Sequence, residues 1–284
     1  MKFGLVLEGG GLRGAFTAGV LEVFAEEGIT FDYGCGVSAG AGTLGNFISN
    51  QNIRSKEAVL CSRKDSYYGI REFFRSGKFM NLDKLYDDNN KKLTPCDFDA
   101  YRANPIEKEF VATNCETGKP EYLTDNGIKQ RYYLISKATS SLPLISKPVV
   151  VDGKYFMDGS VSDPLPLDRA FSKGCDKIIL ISTKAEGMEP SNLKKYTWLM
   201  KIRYSSRFMP FIDAVNNRIP LLEGQYKYAD KLEAEGKILN IHPSGKVTIG
   251  HMEKDIEKIN ALYEDGIETA KAMMPTIKKF MEIE

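Results

Sequence analysis

Three short stretches of this 284-residue chain set reactive or anion-binding groups beside glycine. Gly36-Val37-Ser38-Ala39-Gly40 fits the pattern G-x-S-x-G, in which small flanking residues let a serine occupy a sharp strand-to-helix turn with its hydroxyl exposed. The helix that follows directs its positive end toward charge developing beside the serine. Gly9-Gly10-Gly11-Leu12-Arg13-Gly14 offers bare backbone N–H groups at a helix start, and two kinds of anion suit them. One is the oxyanion of an acyl-transfer reaction. The other is a dinucleotide pyrophosphate, because the run also satisfies G-x-G-x-x-G and Asp32 follows Gly14 by 18 residues, where it would hold a ribose hydroxyl. A Walker-type nucleotide loop is excluded, since no Lys-Ser/Thr follows Gly14. A dinucleotide site gives Ser38 no task, whereas acyl transfer uses both glycine turns.

A serine hydroxyl needs a base. The chain has only two histidines, His242 and His251. Ser38, Asp158, His242 would be the chain order of an α/β-hydrolase triad, but such enzymes place several strands before the serine, and here there is room for one or two. The other candidate base is a carboxylate. Asp158-Gly159-Ser160 follows an apolar run, and glycine after aspartate permits a tight turn that presents the carboxylate.

The elements that must position these groups follow an α/β grammar. Phe3–Leu7 reads as a strand buried on both faces, followed by a helix from Ala15 that stops at Gly28. Phe31–Val37 is a second strand, followed by a second helix. Glu109–Thr113, Lys177–Ser182 and Lys237–His242 are further strands, and Pro148–Asp152 with Lys154–Met157 is a hairpin about Gly153. Gln130–Ser141 is predicted to be helical, Asp163-Pro164 a helix start, and Ile256 to Ile277 one helical face that Pro275 divides. Strand, glycine turn and helix in alternation predict a parallel sheet. The expected organisation is one domain over 1–284, with a core at 1–50 and 105–185, a helical insertion or cap at about 50–105, and a C-terminal helical region at about 190–284.

Taken in order, the glycine loop containing Arg13, the serine turn and the Asp-Gly-Ser turn resemble the patatin-like phospholipase family. Ala138 to Pro143 is similar to that family's segment upstream of the aspartate, and Ile178–Ile181 to the strand after it. The resemblance implies a three-layer α/β/α sandwich with a mainly parallel central sheet. It implies a dyad without histidine, with Ser38 as nucleophile and Asp158 as proton acceptor. Gly9, Gly10, Gly11, Leu12, Arg13 and Gly14 would form the oxyanion loop. The implied reaction is hydrolysis of acyl esters of phospholipids or related glycerolipids, with no cofactor and no metal. Ser160 departs from the family's glycine or alanine at that position. A nucleotide-binding oxidoreductase using Gly9–Gly14 and Asp32, and a non-catalytic lipid-binding protein on the same fold, remain as alternatives.

Composition narrows the partners. Lys plus Arg number 39 and Asp plus Glu 38, a net charge of +1, which argues against nucleic-acid binding by bulk charge. No apolar run approaches the ~20 residues of a membrane helix, and Glu8 comes too early for a signal-peptide core. Cys35, Cys61, Cys96, Cys115 and Cys175 are odd in number and widely spaced, as expected of reduced thiols in a cytoplasm-like compartment. Residues 194–211 nevertheless hold five Lys/Arg and no acidic residue, together with Trp198, the chain's only tryptophan. That stretch is expected to touch anionic lipid, giving a cytoplasmic protein a peripheral place at the inner membrane face. The competing expectation is a helix whose residues 198, 199, 202 and 209 join the core.

Overall fold

The computed structural model describes residues 1–61, 75, 81–85, 95–184, 192–204, 206–250, 253 and 255–283. About half of the expected insertion, residues 62–74, 76–80 and 86–94, lies outside them, as does His251.

Strand β1 (Phe3–Leu7) is central in an eight-stranded mixed sheet. The alternation of its side chains creates the layers. Leu5 and Leu7 enter one apolar cluster and Val6 a second on the opposite face. In β7 (Lys177–Ile181), Ile179 and Ile181 join the first cluster and Ile178 and Leu180 the second. Both faces are buried, so the sequence reads as an unbroken apolar run. The parallel part of the sheet runs β3 (Glu107–Asn114), β2 (Tyr33–Val37), β1, β7, β8 (Ile238–Ile241). Three strands add antiparallel pairs: β4 (Pro120–Leu123), β5 (Val149–Val151) and β6 (Lys154–Asp158).

Helices cover both faces. On the first lie α1 (Gly14–Glu26), α2 (Ala39–Ile48), α4 (Phe98–Ala103), α5 (Lys129–Thr139) and the long α9 (Ile256–Met281), with α3 (Asn52–Cys61) against α1. On the second lie α6 (Leu167–Ser172) and α8 (Met209–Ala234). Between β7 and α8 stands the short α7 (Thr197–Arg203).

Several boundaries differ from expectation. Asp163 starts no helix; α6 begins at Leu167, because the Asp163 carboxylate accepts hydrogen bonds from Tyr122 Oη at 2.7 Å and Gln225 Nε2 at 2.6 Å. Pro275 does not divide α9, which is continuous from Ile256 to Met281 and is held by buried residues on both sides of the proline, Ala270 and Met274 before it and Ile277 after it. Residues 194–211 form no single helix but a 3₁₀ turn, α7, a second 3₁₀ turn and the start of α8. Trp198, Leu199 and Ile202, which the competing expectation placed in the core, are exposed, while Met200, Phe208 and Phe211 are buried.

Candidate active site

β2 ends at Val37 and α2 begins at Ala39, leaving Ser38 between them at φ 53° and ψ −120°. A non-glycine residue there is strained, and such strain persists only where the surroundings impose it. The flanking glycines are required by space. A β-carbon on Gly36 would lie 2.6 Å from Ala41 Cα, and one on Gly40 2.5 Å from the Leu7 carbonyl oxygen.

The partner of Ser38 arrives along an edge of β3. Phe110 and Val111 lie between Gly36 and Val37 of β2 and Leu123 and Tyr122 of β4. One step on, Ala112 and Thr113 keep β4 but now face Asp158 and Met157. A strand has two edges, so β6 occupies the edge that β2 vacates. The last residue of β2 therefore pairs with Val111 and the last residue of β6 with Ala112. That register brings together residues 120 positions apart, and Ser38 Oγ donates to Asp158 Oδ2 at 2.7 Å.

Asp158 is fully buried. Its second carboxylate oxygen accepts the Ser160 amide at 2.9 Å, its own amide donates to Ser141 at 2.9 Å, and its carbonyl accepts Thr113 Oγ1 at 2.7 Å. Burial raises its pKa above the usual carboxylate range; hydrogen bonds from Ser160 and Ser38, and the charge of Arg218, pull it back. The Ser38 amide donates to Thr139 Oγ1 at 2.9 Å, and Thr139 in turn donates to the Val111 carbonyl at 2.5 Å.

The glycine loop lies directly against the serine. A β-carbon on Gly9 would stand 2.9 Å from Ser38 Cβ, and one on Gly14 3.1 Å from Ala39 Cβ. Gly11–Arg13 makes a single 3₁₀ turn into α1, with Gly11 at φ +57°. The Gly10 and Gly11 amides donate no hydrogen bond among those of the described residues. The loop is braced from behind by Glu8, which is buried. Its carboxylate accepts the Thr183 amide at 2.6 Å and Tyr226 Oη at 2.7 Å, and Thr183 Oγ1 donates to the Gly9 carbonyl at 3.0 Å. Arg13 is buried beside Glu8, Tyr226 and Arg218.

Two other sequence candidates lie elsewhere. Asp32 precedes β2 and accepts the Phe3 amide at 2.7 Å. It is thus at the opposite end of the five-residue β1 from the glycine loop, about 16 Å away. A ribose held there could not place its pyrophosphate on Gly9–Gly14, which removes the dinucleotide alternative. His242 follows β8, three strand steps or about 14 Å from β2, and is exposed, its Nδ1 3.2 Å from the Pro243 carbonyl. Sequence reading missed Glu8, Thr139, Thr183, Arg218 and Tyr226. A carboxylate closing an apolar run was the signal available for Glu8.

A family model described as patatin-like phospholipase matches residues 5–171. The chain belongs to the patatin-like phospholipase family. A second model, described as a domain of unknown function, matches residues 209–282 of this patatin-like chain. The uncharacterized protein YjjU of Escherichia coli is 28% identical over 251 residues, covering 85% of this chain and 68% of that protein. Lysophospholipase NTE1 of Kluyveromyces lactis is 24% identical over 191 residues, covering 63% of this chain and 12% of its own length. Among solved structures, VipD from Legionella pneumophila is 13% identical with a TM-score of 0.49, covering 97% of this chain and 67% of that one.

Proposed function

We propose that this patatin-like chain hydrolyses acyl esters of phospholipids or related glycerolipids through a Ser38–Asp158 dyad. The observation that carries the reading is the 2.7 Å hydrogen bond from a serine on a strained turn to a fully buried carboxylate. Asp158 takes the Ser38 proton as Oγ attacks the ester carbonyl carbon. The carbonyl oxygen becomes an oxyanion, held by the amides of the Gly9–Leu12 loop beside the serine. Collapse of the tetrahedral intermediate breaks the ester C–O bond, and the leaving alkoxide receives the proton from Asp158. Asp158 next deprotonates a water molecule, which attacks the acyl-serine and releases the fatty acid and Ser38. Arg13 adds positive field behind the loop.

The substrate resides in a lipid surface, and α7 offers a means of reaching one. Trp198 is 63% and Ile202 74% exposed, with Lys194, Lys195 and Lys201 exposed around them. Rings and aliphatic groups enter the headgroup boundary while lysines meet lipid phosphates. Among the described residues no helix is long and apolar enough to cross a membrane. The contact proposed here is peripheral, from the cytoplasmic side. The deciding assay measures fatty acid release from a lysophospholipid. Wild-type protein is expected to release it and Ser38→Ala to release none; equal release by both would end the reading, and release by neither would favour a lipid-binding protein.

A further inference from the structure

The helix that opens the C-terminal region touches both halves of the candidate site. Arg218 Nε donates to the Ser160 carbonyl at 2.9 Å, two residues after the aspartate. Tyr226 Oη donates to Glu8 Oε1 at 2.7 Å, directly before the glycine loop. Positions 218 and 226 lie on one face of α8, about 12 Å apart along its axis. Between them Leu222 is buried, and Gln225 binds Asp163 and accepts the Leu165 amide at 3.0 Å. α8 is thus fastened to the aspartate turn at residues 160, 163 and 165, and to the glycine loop at residue 8.

Arg218 makes a specific arrangement within this seam. Ser160 receives the guanidinium on its carbonyl and gives its amide to Asp158 Oδ1 at 2.9 Å. The guanidinium is half-buried, which weakens the screening of its charge by water. Its charge acts on Asp158, and on Arg13 across the loop, where Glu8 and Tyr226 are the other titratable groups. Burial favours the neutral form of a carboxylate that must accept a proton, and such a cation adds to the hydrogen bonds from Ser160 and Ser38 that oppose it.

We propose that Arg218 is a positioning residue of the hydrolase, and that region 209–282 is through it an integral part of the active site. Arg218 fixes the turn that carries Asp158 and keeps the carboxylate ionised as the proton acceptor. The inference rests on the dyad reading given above.

The test is the pH dependence of hydrolysis of a short-chain aryl ester, which needs no lipid surface. In Arg218→Gln the rate falls roughly tenfold at about pH 8, the size expected for one charge-assisted hydrogen bond. The loss deepens toward acid, because removing the cation moves the acidic limb to higher pH. Arg218→Lys retains the charge and keeps the limb close to its wild-type position. Tyr226→Phe lowers the rate at all pH values without moving the limb, since Tyr226 holds the glycine loop and not Asp158. If Arg218→Gln melts below the assay temperature, Arg218→Met keeps the aliphatic stem and takes its place. An acidic limb superimposable on that of the wild type in the charge-removing variant overturns the proposal, as does a limb that moves equally in Arg218→Lys. Wild-type activity that Ser38→Ala retains would instead remove the dyad reading, and this proposal with it.

Discussion

In the proposed dyad Asp158 acts as a base from a fully buried position, and the two demands oppose each other. Burial favours the protonated acid, whereas proton transfer from Ser38 needs the carboxylate; hydrogen bonds from Ser160 and Ser38 and the charge of Arg218 oppose burial without cancelling it, so the pKa stays raised. A stability consequence follows with a definite sign. The folded-state pKa lies above the ordinary value, so the ionised group is carried at a cost at neutral pH. That cost is relieved as pH falls through the folded-state value, and below the unfolded value of about 3.9 no difference remains. Asp158→Asn is therefore expected to melt above the wild type at neutral pH, with the gap closing toward about pH 4; a lower melting temperature throughout would contradict this. The same variant and Ser38→Ala should each abolish turnover, and the double variant should lose little more, because the two groups act as a unit. At this scale the glycine-flanked motifs were legible in the sequence, since sharp turns demand glycine at fixed offsets. Thr183 and Tyr226 were not, because they meet Glu8 from 175 and 218 positions away.

The elements explain how such distant residues converge. β2 and β6 share one edge of β3 end to end, so a register set by backbone pairing aligns Ser38 with Asp158. The hairpin β5–β6 turns through Asp152 and Gly153, both at positive φ, and its existence was readable from the glycine. The competing expectation of a core helix over 194–211 fails because a periodicity count assumes one continuous helix. The chain breaks near residue 204, so Met200, Tyr204, Phe208 and Phe211 turn inward and Trp198, Leu199 and Ile202 face solvent. Arg203 is half-buried and Arg207 pairs with Glu116, which leaves three lysines as the exposed cations of α7 and the turn before it. Lys194→Glu/Lys195→Glu is expected to weaken binding to anionic vesicles, and Trp198→Ala/Ile202→Ala to weaken it further. Both should spare a soluble ester. Sedimentation with vesicles at low and high salt measures this; salt-independent binding would remove the electrostatic part.

At the scale of the molecule, the first and last helices lock the sheet. Where α1 crosses α9, a β-carbon on Gly266 would overlap the Phe16 carbonyl oxygen, and one on Gly19 the Tyr263 carbonyl oxygen. Helix propensity alone would make Gly266→Ala stabilising by about 1 kcal/mol. The close crossing predicts the opposite sign, a loss of about 1–3 kcal/mol in chemical denaturation, because backbone cannot yield as a side chain would. The alternating grammar foretold the parallel strands, but it said nothing of β4, a four-residue strand without a strong apolar pattern, or of the 26-residue extent of α8. The proposed catalysis depends as a whole on Ser38 being activated by Asp158. The most direct measurement is the reaction of the intact protein with a fluorophosphonate, followed by peptide mass spectrometry and by labelling rates. One adduct is expected, on Ser38, absent in Ser38→Ala and formed much more slowly in Asp158→Asn. An unlabelled wild type, an adduct on another residue, or an undiminished rate in Asp158→Asn would contradict it.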